Sequence, residues 1–570
     1  MDAHFRRAIT MGLVGGAANV HLGLVGLIPS LQSRALVDGM LDLGSALPVL
    51  IAALVGWLAG RPLQRHGATP SPPRTLLAGA VAGGVASAVA ALLLVMITVV
   101  NVQSVLVNAT VRLVEAFHFS LEFGPGTVVL LLIGAIAGLG GAALHVLPSR
   151  VARASSIALI TTLLFALMEP FVAAVLRNIR ISAVAEMTFS GGGLAPLGFA
   201  VVLIGAFAIS YAWITRGRQA SQQRIERMAP DQRRTAKIVV WIAIAILVLA
   251  VPQIVGGRLS HVINVVGIYV LLGLGLNIVV GFAGLLDLGY VAFYAVGAYT
   301  TAILTSPASP LFAPELSFWA ALPFVIVAAA LIGLMVGAPV LRLRGDYLAI
   351  VTLGFGEIAR IIFLSTWTSP VTGGAQGILT IPPPLPFTRD TQIIYYPILL
   401  FCVIAALGAL SLASSRVGRA WNAMREDESV AEATGVSTVK YKLLAFGLGA
   451  AFGCLSGALF AAQIGTIFPN SFSILVSINA LALIILGGLG NIWGVVVGAF
   501  VLVGLPELLR EFAEYRLLIY GGVLVAMMIL RPEGLLPSRS RRAELHERED
   551  LEEQWEEEAG VETPRPAISS

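Results

Sequence analysis

The chain has 570 residues, of which 57% are hydrophobic and only 12% charged, and its mean hydropathy is +0.89. Soluble domains carry about 25% charged residues, so this composition excludes an ordinary water-soluble protein and favours one whose surface faces lipid. The net charge of +4, from 36 basic and 32 acidic residues, is too small to indicate nucleic acid as a partner.

The first block of the chain, residues 1–215, contains six apolar stretches close to the length of about 20 residues that a membrane helix needs. A secretory signal peptide is the alternative for the first stretch, but no small-residue cleavage site follows it and further spans do. We therefore predict an N-terminal membrane extension of about six helices. The predicted spans are 9–29, 42–60, 75–100, 126–147, 155–176 and 192–215.

Arginines between these spans predict their orientation. Arg6 and Arg7 precede the first span, and basic residues also follow the second, fourth and sixth spans, so all of them fall on one side. That side, which includes the N-terminus, is cytoplasmic by the positive-inside rule. Arg177 and Arg180 fall on the other side and conflict with this orientation. Residues 216–237 hold seven basic and two acidic residues, which predicts a cytoplasmic linker between two blocks of helices.

The second block, residues 238–537, contains a further series of spans, and the basic residues around it keep the same orientation. The whole chain is therefore predicted to be an all-α polytopic membrane protein with about 14–16 membrane helices. The acidic, Pro-containing tail, 538–570, is predicted to be cytoplasmic and partly disordered. The predicted spans of this block are 238–256, 262–282, 286–305, 318–341, 347–366, 392–413, 442–465 and 516–530, with a pair within 472–509.

The pair within 472–509 follows from the orientation, because this segment must begin and end on the outer face. A single crossing would break that rule, so two short helices are required, as a hairpin or a re-entrant pair. The run Gly487-Gly488-Leu489-Gly490-Asn491 supplies the break. Non-helical backbone at membrane depth is tolerated only against protein or a water-filled cavity, so we expect this break inside the protein, beside a transport path. Helix crossing at small residues is the alternative.

The segment 414–441 is long for a connection between membrane spans. Its helix formers predict one short helix from Arg419 to Thr434, with Gly435 in the left-handed C′ position and Ser437 capping the next span. Trp421, Met424 and Val430 are expected to supply apolar contacts. The charged residues are expected to face water or a partner, which favours docking of a soluble protein over a helix lying on lipid headgroups. These charged residues are Arg425, Glu426, Asp427 and Glu428.

Several stretches of the second block, taken together and in order, resemble the permease family of branched-chain amino acid ABC transporters. The resemblance covers residues from about 262 to 537, roughly half the chain. No second copy of the motifs is found in 1–237, so the N-terminal block does not resemble a fused partner permease. Small variations around Glu432 and Thr434 depart from the family pattern. The matching stretches lie within 284–299, 343–357, 372–377, 418–435, 486–490 and 531–535.

The resemblance implies a transport subunit with no active site of its own, in a bacterial-type plasma membrane with both termini cytoplasmic. It implies a second permease subunit, two cytoplasmic ATPase subunits and an extracytoplasmic solute-binding protein as partners, in contact with membrane lipid. ATP would be bound by the partner subunits, and the chain itself lacks the GxxxxGK[ST] pattern. The implied ATPase-coupling residues are Arg419, Arg425, Glu426, Asp427, Glu428, Ala433 and Gly435.

Polar residues inside spans are expensive in lipid and are therefore candidates for the translocation path. Alternatives exist for several of them: Glu357 and Arg360 can neutralise each other on one helix face, Asp287 can cap a helix, and the tyrosines can anchor at the membrane interface. Thr372, Gly373 and Gly374 are candidate contacts for the binding protein, with a plain turn as the alternative. The path candidates are Asn277, Asp287, Tyr290, Tyr294, Glu357, Asn479, Gly487, Gly488, Gly490 and Asn491.

The leading hypothesis is an ATP-driven importer of branched-chain or related hydrophobic amino acids. A permease for urea, short amides or another small solute is the nearest alternative. An ion-coupled secondary transporter would need paired mid-membrane charges and an inverted repeat, and neither is evident. A membrane enzyme would need a nucleophile–base or metal set. Cys402 and Cys454 lie in apolar runs and the seven histidines form no cluster, so no metal site is expected.

Overall fold

The computed structural model describes most of the chain. The described residues are 3–61, 71–100, 106–119, 121–217, 230–310, 313–340, 343, 345–385, 388–508, 521, 522, 525 and 534–536. The predicted acidic tail, 538–570, lies outside these residues, as do nearly all of the last predicted span and most of the predicted linker.

Helices account for nearly all regular structure in the described part of the chain. Thirteen of them are long and apolar enough to cross a membrane, and two further apolar helices are shorter. The predicted all-α polytopic membrane fold is therefore confirmed. The chain forms two compact units, Met1–Leu247 and Val248–Ser570, whose boundary falls inside one helix, after the predicted linker. The predicted domain limits, at 215, 237 and 537, stay predictions.

The first unit combines membrane-length helices with a small four-stranded sheet in the order β2-β1-β4-β3. β1 and β4 are parallel, and the two outer pairs are antiparallel. Its elements are α1 (Ala3–Val25), α2 (Leu27–Leu31), β1 (Ala35–Val37), β2 (Leu41–Asp42), α3 (Leu43–Gly60), α4 (Pro72–Val99), α5 (Val111–His118), α6 (Phe123–Val146), α7 (Ser149–Leu167), α8 (Glu169–Asn178), α9 (Ser182–Thr188), β3 (Phe189–Ser190), β4 (Gly193–Leu194) and α10 (Pro196–Ala212), which continues as the π-helix Trp213–Gly217.

Small residues let α3, α4 and α6 approach closely. A Cβ atom on Gly56 would lie 2.1 Å from the carbonyl oxygen of Gly138, and one on Gly83 would lie 2.1 Å from that of Gly134. Any side chain at these positions would therefore overlap the backbone of the neighbouring helix. Close backbone contact at small residues is the usual way in which membrane helices pack, so these glycines set the spacing of this bundle.

The second unit contains the remaining helices. The helix α11 (Pro230–Val255) crosses the boundary between the units. The others are α12 (Gly257–Leu276), which continues as the π-helix Asn277–Phe282, α13 (Val291–Thr305), α14 (Phe318–Val340), α15 (Asp346–Leu364), α16 (Ser369–Thr372), the 3₁₀ turn Gly374–Gln376, α17 (Thr391–Ser414), α18 (Arg416–Glu426), α19 (Glu428–Ala433), α20 (Thr438–Ile464), the 3₁₀ turn Pro469–Ser471, α21 (Ile474–Gly487), α22 (Ile492–Ala499), the π-helix Phe500–Gly504 and α23 (Leu505–Leu508).

A short, buried helix lies at the centre of the second unit. At about 1.5 Å per residue, the 15 residues of α13 are too short to cross a bilayer core of about 30 Å, and most of its side chains are buried. It packs against α20 through glycines: a Cβ on Gly297 would lie 1.9 Å from the carbonyl oxygen of Cys454, and one on Gly457 would lie 1.9 Å from that of Tyr294. This helix is therefore part of the protein core.

Candidate functional site

Two irregular features of the second unit carry half of the predicted site residues. The first is the segment between α17 and α20, residues 415–437, which we call the helical loop. The second is the interruption between α21 and α22, residues 488–491, which we call the glycine break. In both, local caps and glycines determine the backbone conformation, and contacts from distant parts of the chain fix its position.

The helical loop forms two helices rather than the single helix predicted from Arg419 to Thr434. Ser415 caps α18, since its hydroxyl accepts from the backbone N–H of residues 417 and 418. Asp427 ends α18 with extended backbone and caps α19, accepting from the N–H of residues 429 and 430 at 2.8 and 3.0 Å. An Asp at this position favours a new helix start over continuation, which explains the difference.

The end of the helical loop agrees more closely with expectation. Gly435 has φ of +89°, the left-handed conformation predicted for it. Ser437 occupies the position before α20, but its side chain makes no capping hydrogen bond. The short connection between α19 and α20 therefore depends on the glycine backbone rather than on a hydroxyl cap.

Trp421 anchors the helical loop to α20. Its side chain is fully buried, and its indole Nε1–H donates to the carbonyl oxygen of Tyr441 at 2.9 Å. Met424 is also buried, so two of the three expected apolar contacts are confirmed. Val430 is 59% exposed, and the expectation that it packs inward is wrong. It lies on α19, whose inward position is taken by Ala431, 2% exposed.

A buried ion pair forms the second anchor to α20. The Nζ of Lys442 lies 2.6 Å from Oε1 of Glu428, with 3% of the lysine side chain and 23% of the glutamate side chain exposed. The lysine pairs with an acid that was predicted to face water or a partner, and that expectation is wrong for Glu428. The inward turn is explained by the cost of leaving a buried ammonium group without a counter-charge.

Arg425 connects the helical loop to the end of α12. Its Nη1 donates to the carbonyl oxygen of Gly281 at 2.9 Å, and only 18% of its side chain is exposed. A Cβ on Gly284 would lie 2.6 Å from Cγ of Arg425, so the arginine stem lies directly on this glycine. Arg425 therefore also faces the protein, contrary to expectation, whereas Glu426 keeps 61% of its side chain exposed.

The remaining predicted residues of the helical loop lie on its outer surface. Arg419, Asp427, Ala433 and Gly435 are exposed, as is Glu426. This surface is therefore available for a partner, while the roles predicted for its residues stay predictions.

The glycine break lies where the sequence predicted it. Gly487 ends α21, and Gly488 and Gly490 have φ of +116° and +75°, which side chains strongly disfavour. Asn491 starts α22 by accepting from the N–H of Trp493 at 3.0 Å. Residues 487 and 488 are buried and 489–491 are half-buried. The expected position inside the protein is confirmed, and its proximity to a transport path stays a prediction.

A short segment from beyond the last predicted span covers the glycine break. Leu535 donates its backbone N–H to the carbonyl oxygen of Leu486 at 2.8 Å, and Leu536 donates to that of Gly487 at 2.9 Å. The carbonyl oxygen of Leu536 in turn accepts from Nδ2 of Asn491 at 2.7 Å. The carbonyls at the end of a helix need partners, and residues 534–536 provide them here. This contact could not be inferred from the sequence pattern.

Asn277 connects α12 to the glycine break. Its side chain is 1% exposed, and its Oδ1 accepts from the backbone N–H of Gly490 at 2.9 Å. Among the described residues, its Nδ2 has no hydrogen-bond partner. A Cβ on Gly281 would lie 2.1 Å from Oδ1 of Asn277, so that glycine leaves room for the amide. Of the predicted path residues, Asn277 and the break glycines are therefore brought together.

Asp287, Tyr290 and Tyr294 lie elsewhere, in the core around α13. Asp287 accepts from the N–H of Gly289 at 2.9 Å, a local turn bond, and it is not the residue that caps α13. The hydroxyl of Tyr290 donates to the carbonyl oxygen of Gly449 at 2.6 Å. Tyr294 packs edge-on against Phe472, with ring centroids 5.6 Å apart. Both tyrosines are at most 3% exposed, so anchoring at the membrane interface does not explain them.

The other predicted residues occupy separate places. Glu357 forms an ion pair with Arg360 on the same face of α15, so the two neutralise each other. Asn479 is half-buried on α21. Thr372 and Gly374 are buried, and Gly373 is half-buried with φ of +75°. The candidate contacts for a binding protein therefore lie within a compact turn, while their role stays a prediction.

Comparisons with known proteins concern this same half of the chain. The family model described as branched-chain amino acid transport system / permease component matches residues 258–530. The high-affinity branched-chain amino acid transport system permease protein LivM of Escherichia coli is 44% identical over 322 residues, covering 52% of this chain and 74% of that protein. The permease protein LivH of E. coli, which carries the same system name, is 24% identical over 283 residues, covering 47% of this chain and 91% of that protein. No solved structure gives a significant match.

Proposed function

This chain belongs to the family of permease components of branched-chain amino acid transport systems, and we propose that it is the membrane subunit of an ATP-driven importer for such amino acids. It is a multi-pass membrane protein with a permease role. The observation that supports an ATP-driven importer is the helical loop, a folded element with an exposed face that is anchored to two membrane helices.

The helical loop is proposed as the docking surface for cytoplasmic ATPase subunits. Its buried side holds Trp421, Arg425 and Glu428, and its outer side presents Glu426 and Val430. The basic residues at the ends of the predicted spans support a cytoplasmic position for this side of the chain. The sequence has no GxxxxGK[ST] motif, so ATP hydrolysis is assigned to two separate subunits, and no cofactor is assigned to this chain.

A second permease subunit is proposed as the partner within the membrane. Two E. coli proteins with the same transport-system name, LivM and LivH, are each similar to this chain, at 44% and 24% identity. The higher identity to LivM suggests that this chain takes one of two positions in such a pair. A solute-binding protein on the outer side, near the turn at 372–374, would deliver the amino acid. Both termini are proposed to be cytoplasmic, in a bacterial inner membrane.

Purification of the chain from its native membrane, followed by reconstitution into vesicles, tests this proposal. We expect two ATPase subunits and a second permease to be recovered with it, and uptake of leucine that requires both ATP and a binding protein. Recovery of the chain alone, with uptake driven by a proton or sodium gradient, would overturn the proposal. Uptake of urea or acetamide in place of leucine would overturn the assignment of substrate.

Docking at the helical loop has its own test. Glu432→Arg and Val430→Asp alter exposed side chains of α19, so both should reduce recovery of the ATPases while the chain still inserts into the membrane. Glu432→Gln, a milder change on the same exposed surface, serves as the matched control. Full recovery of the ATPases with both outer-face variants would show that docking occurs elsewhere.

A further inference from the structure

One segment of the second unit touches both the helical loop and the glycine break. This is the π-helix Asn277–Phe282, which continues α12. Its Gly281 carbonyl accepts from Nη1 of Arg425 in the helical loop at 2.9 Å. One turn earlier, Oδ1 of Asn277 accepts from the N–H of Gly490 in the glycine break at 2.9 Å. The two contacts join residues 144 and 213 positions apart in the chain.

We propose that the segment Asn277–Phe282 transmits displacement of the helical loop to the glycine break, with Arg425 and Asn277 as the two positioning residues. The proposal rests on the proposed function of the helical loop as the ATPase-docking surface. It adds the internal connection by which movement of that surface would change the membrane part of the permease.

The helical loop is built to move as one body with its contacts. Trp421 and Glu428 fix it to the start of α20, and Arg425 fixes it to Gly281. A displacement of the loop must therefore carry these contacts along or break them. The guanidinium is a planar group with several donors held in fixed geometry. The Arg425 contact therefore restricts both the distance and the direction in which the helical loop can move relative to Gly281.

The glycine break is the part that would receive the displacement, and Asn277 anchors it. The glycine break has no side chain at 488 or 490 to restrict its backbone. The adjoining segment Asn277–Phe282 is a π-helical turn, a feature that is frequent at functional sites. Asn277 is the side chain that fixes the N–H of Gly490, and it is almost completely buried. Gly281 lies between the two contacts: a Cβ there would lie 2.8 Å from the nitrogen of Gly490 and 2.1 Å from Oδ1 of Asn277.

Three variants interrupt the connection in different ways. Asn277→Leu removes the acceptor for Gly490, and Gly281→Ala displaces the same contact without removing a polar group. Arg425→Met removes the donor while keeping an unbranched stem beside Gly284. In the reconstituted complex, leucine uptake per ATP hydrolysed should fall roughly 2- to 30-fold in each, the range expected for residues that couple two sites. Assembly with the ATPases should be retained.

The controls remove comparable groups away from the connection. Asn264 is buried on α12, and its Nδ2 donates to the carbonyl oxygen of Thr391, so Asn264→Leu removes a buried amide from the same helix. Arg389 donates from Nη2 to the carbonyl oxygen of Ile381, so Arg389→Met removes an equivalent arginine bond. Both should leave uptake per ATP hydrolysed at the wild-type value, even where they lower stability.

A double variant separates transmission from independent structural damage. If Arg425 and Asn277 act through one segment, Arg425→Met with Asn277→Leu should couple no worse than the poorer single variant, whereas independent effects would multiply. Multiplied effects, or wild-type uptake per ATP in the single variants, would overturn the inference, as would loss of ATPase assembly on substitution of Asn277. A wild-type chain that recruits no ATPase would instead overturn the proposed function on which the inference rests.

Discussion

The ion pair between Lys442 and Glu428 should be energetically asymmetric. Only 3% of the lysine side chain is exposed, against 23% of the glutamate side chain. Glu428→Gln leaves an ammonium group buried without a counter-charge, which costs about 3 kcal/mol, the lower end of the range for broken buried pairs. Lys442→Met leaves a carboxylate that can regain water, and we expect a loss of about 1 kcal/mol, as for a partly exposed pair.

Local opening of the helical loop measures this difference. Trypsin cleavage after Arg425, followed by mass spectrometry on the purified chain, reports the open population when opening and closing are fast relative to cleavage. This cleavage site is unchanged in both variants. At 1.4 kcal/mol per factor of ten, cleavage should be about 100-fold faster in Glu428→Gln and about 5-fold faster in Lys442→Met. The double variant should approach the wild-type rate, because neutral groups replace both charges.

Equal acceleration in the two single variants would refute the reasoning, since it would mean that the exposed fractions do not set the cost. Wild-type cleavage in Glu428→Gln would refute the anchoring role of the pair altogether. Glu432→Gln is the matched control, because Glu432 is an exposed acid of the same loop that lies away from the cleavage site. Its cleavage rate should stay within about 2-fold of wild type, as for most surface substitutions.

Three further predictions concern separate contacts. Trp421→Ala should destabilise the helical loop by about 3–5 kcal/mol. Trp421→Phe mainly loses the indole hydrogen bond to Tyr441 and should cost about 1 kcal/mol. Equal rates of trypsin cleavage after Arg425 in the two variants would contradict this. Gly488→Ala, at φ of +116°, should cost at least about 1 kcal/mol and lower the melting temperature, whereas Gly408→Ala, with only an ordinary contact at 3.9 Å, should not. Burial lowers the pKa of His118, so its contribution to stability is present above about pH 6.5 and is lost as the pH falls toward the lowered value; His118→Gln should remove this loss in melting curves.

The membrane helices were the part of the fold that the sequence could predict. A span needs about 20 apolar residues whatever its neighbours, so hydropathy alone locates most of them. The short helix α13 was placed at 286–305 and begins instead at Val291, because residues 287–289 form a turn closed by the Asp287 carboxylate. Hydropathy does not distinguish this turn from a first helical turn. The four short strands of the first unit were not predicted, because two or three residues carry too little pattern.

Within the candidate site, local chemistry was predictable and distant pairing was not. Gly435, Gly488 and Gly490 adopt positive φ angles, which favour glycine, and a single sequence contains that information. The Asn277–Gly490 and Arg425–Gly281 contacts join segments 213 and 144 residues apart. No spacing rule within one chain brings such residues together, so a buried amide or an arginine in a loop indicates only that some partner is required.

The charged residues 425–428 of the helical loop show the same limit, because the sequence does not reveal which of them have partners inside the protein. Four consecutive charged residues, 425–428, predicted a face turned toward water or a partner. Two of them, Arg425 and Glu428, turn inward because a carbonyl and a buried lysine lie beneath them, and the Asp427 carboxylate caps α19. Glu426 keeps 61% of its side chain exposed and forms an ion pair with Arg425, 3.6 Å from Oε1 to Nη2. Val430→Asp, which changes an exposed side chain, therefore tests docking of a partner. Charge reversal at Glu428 would first break the contact with α20, and its effect on uptake would not identify a docking surface.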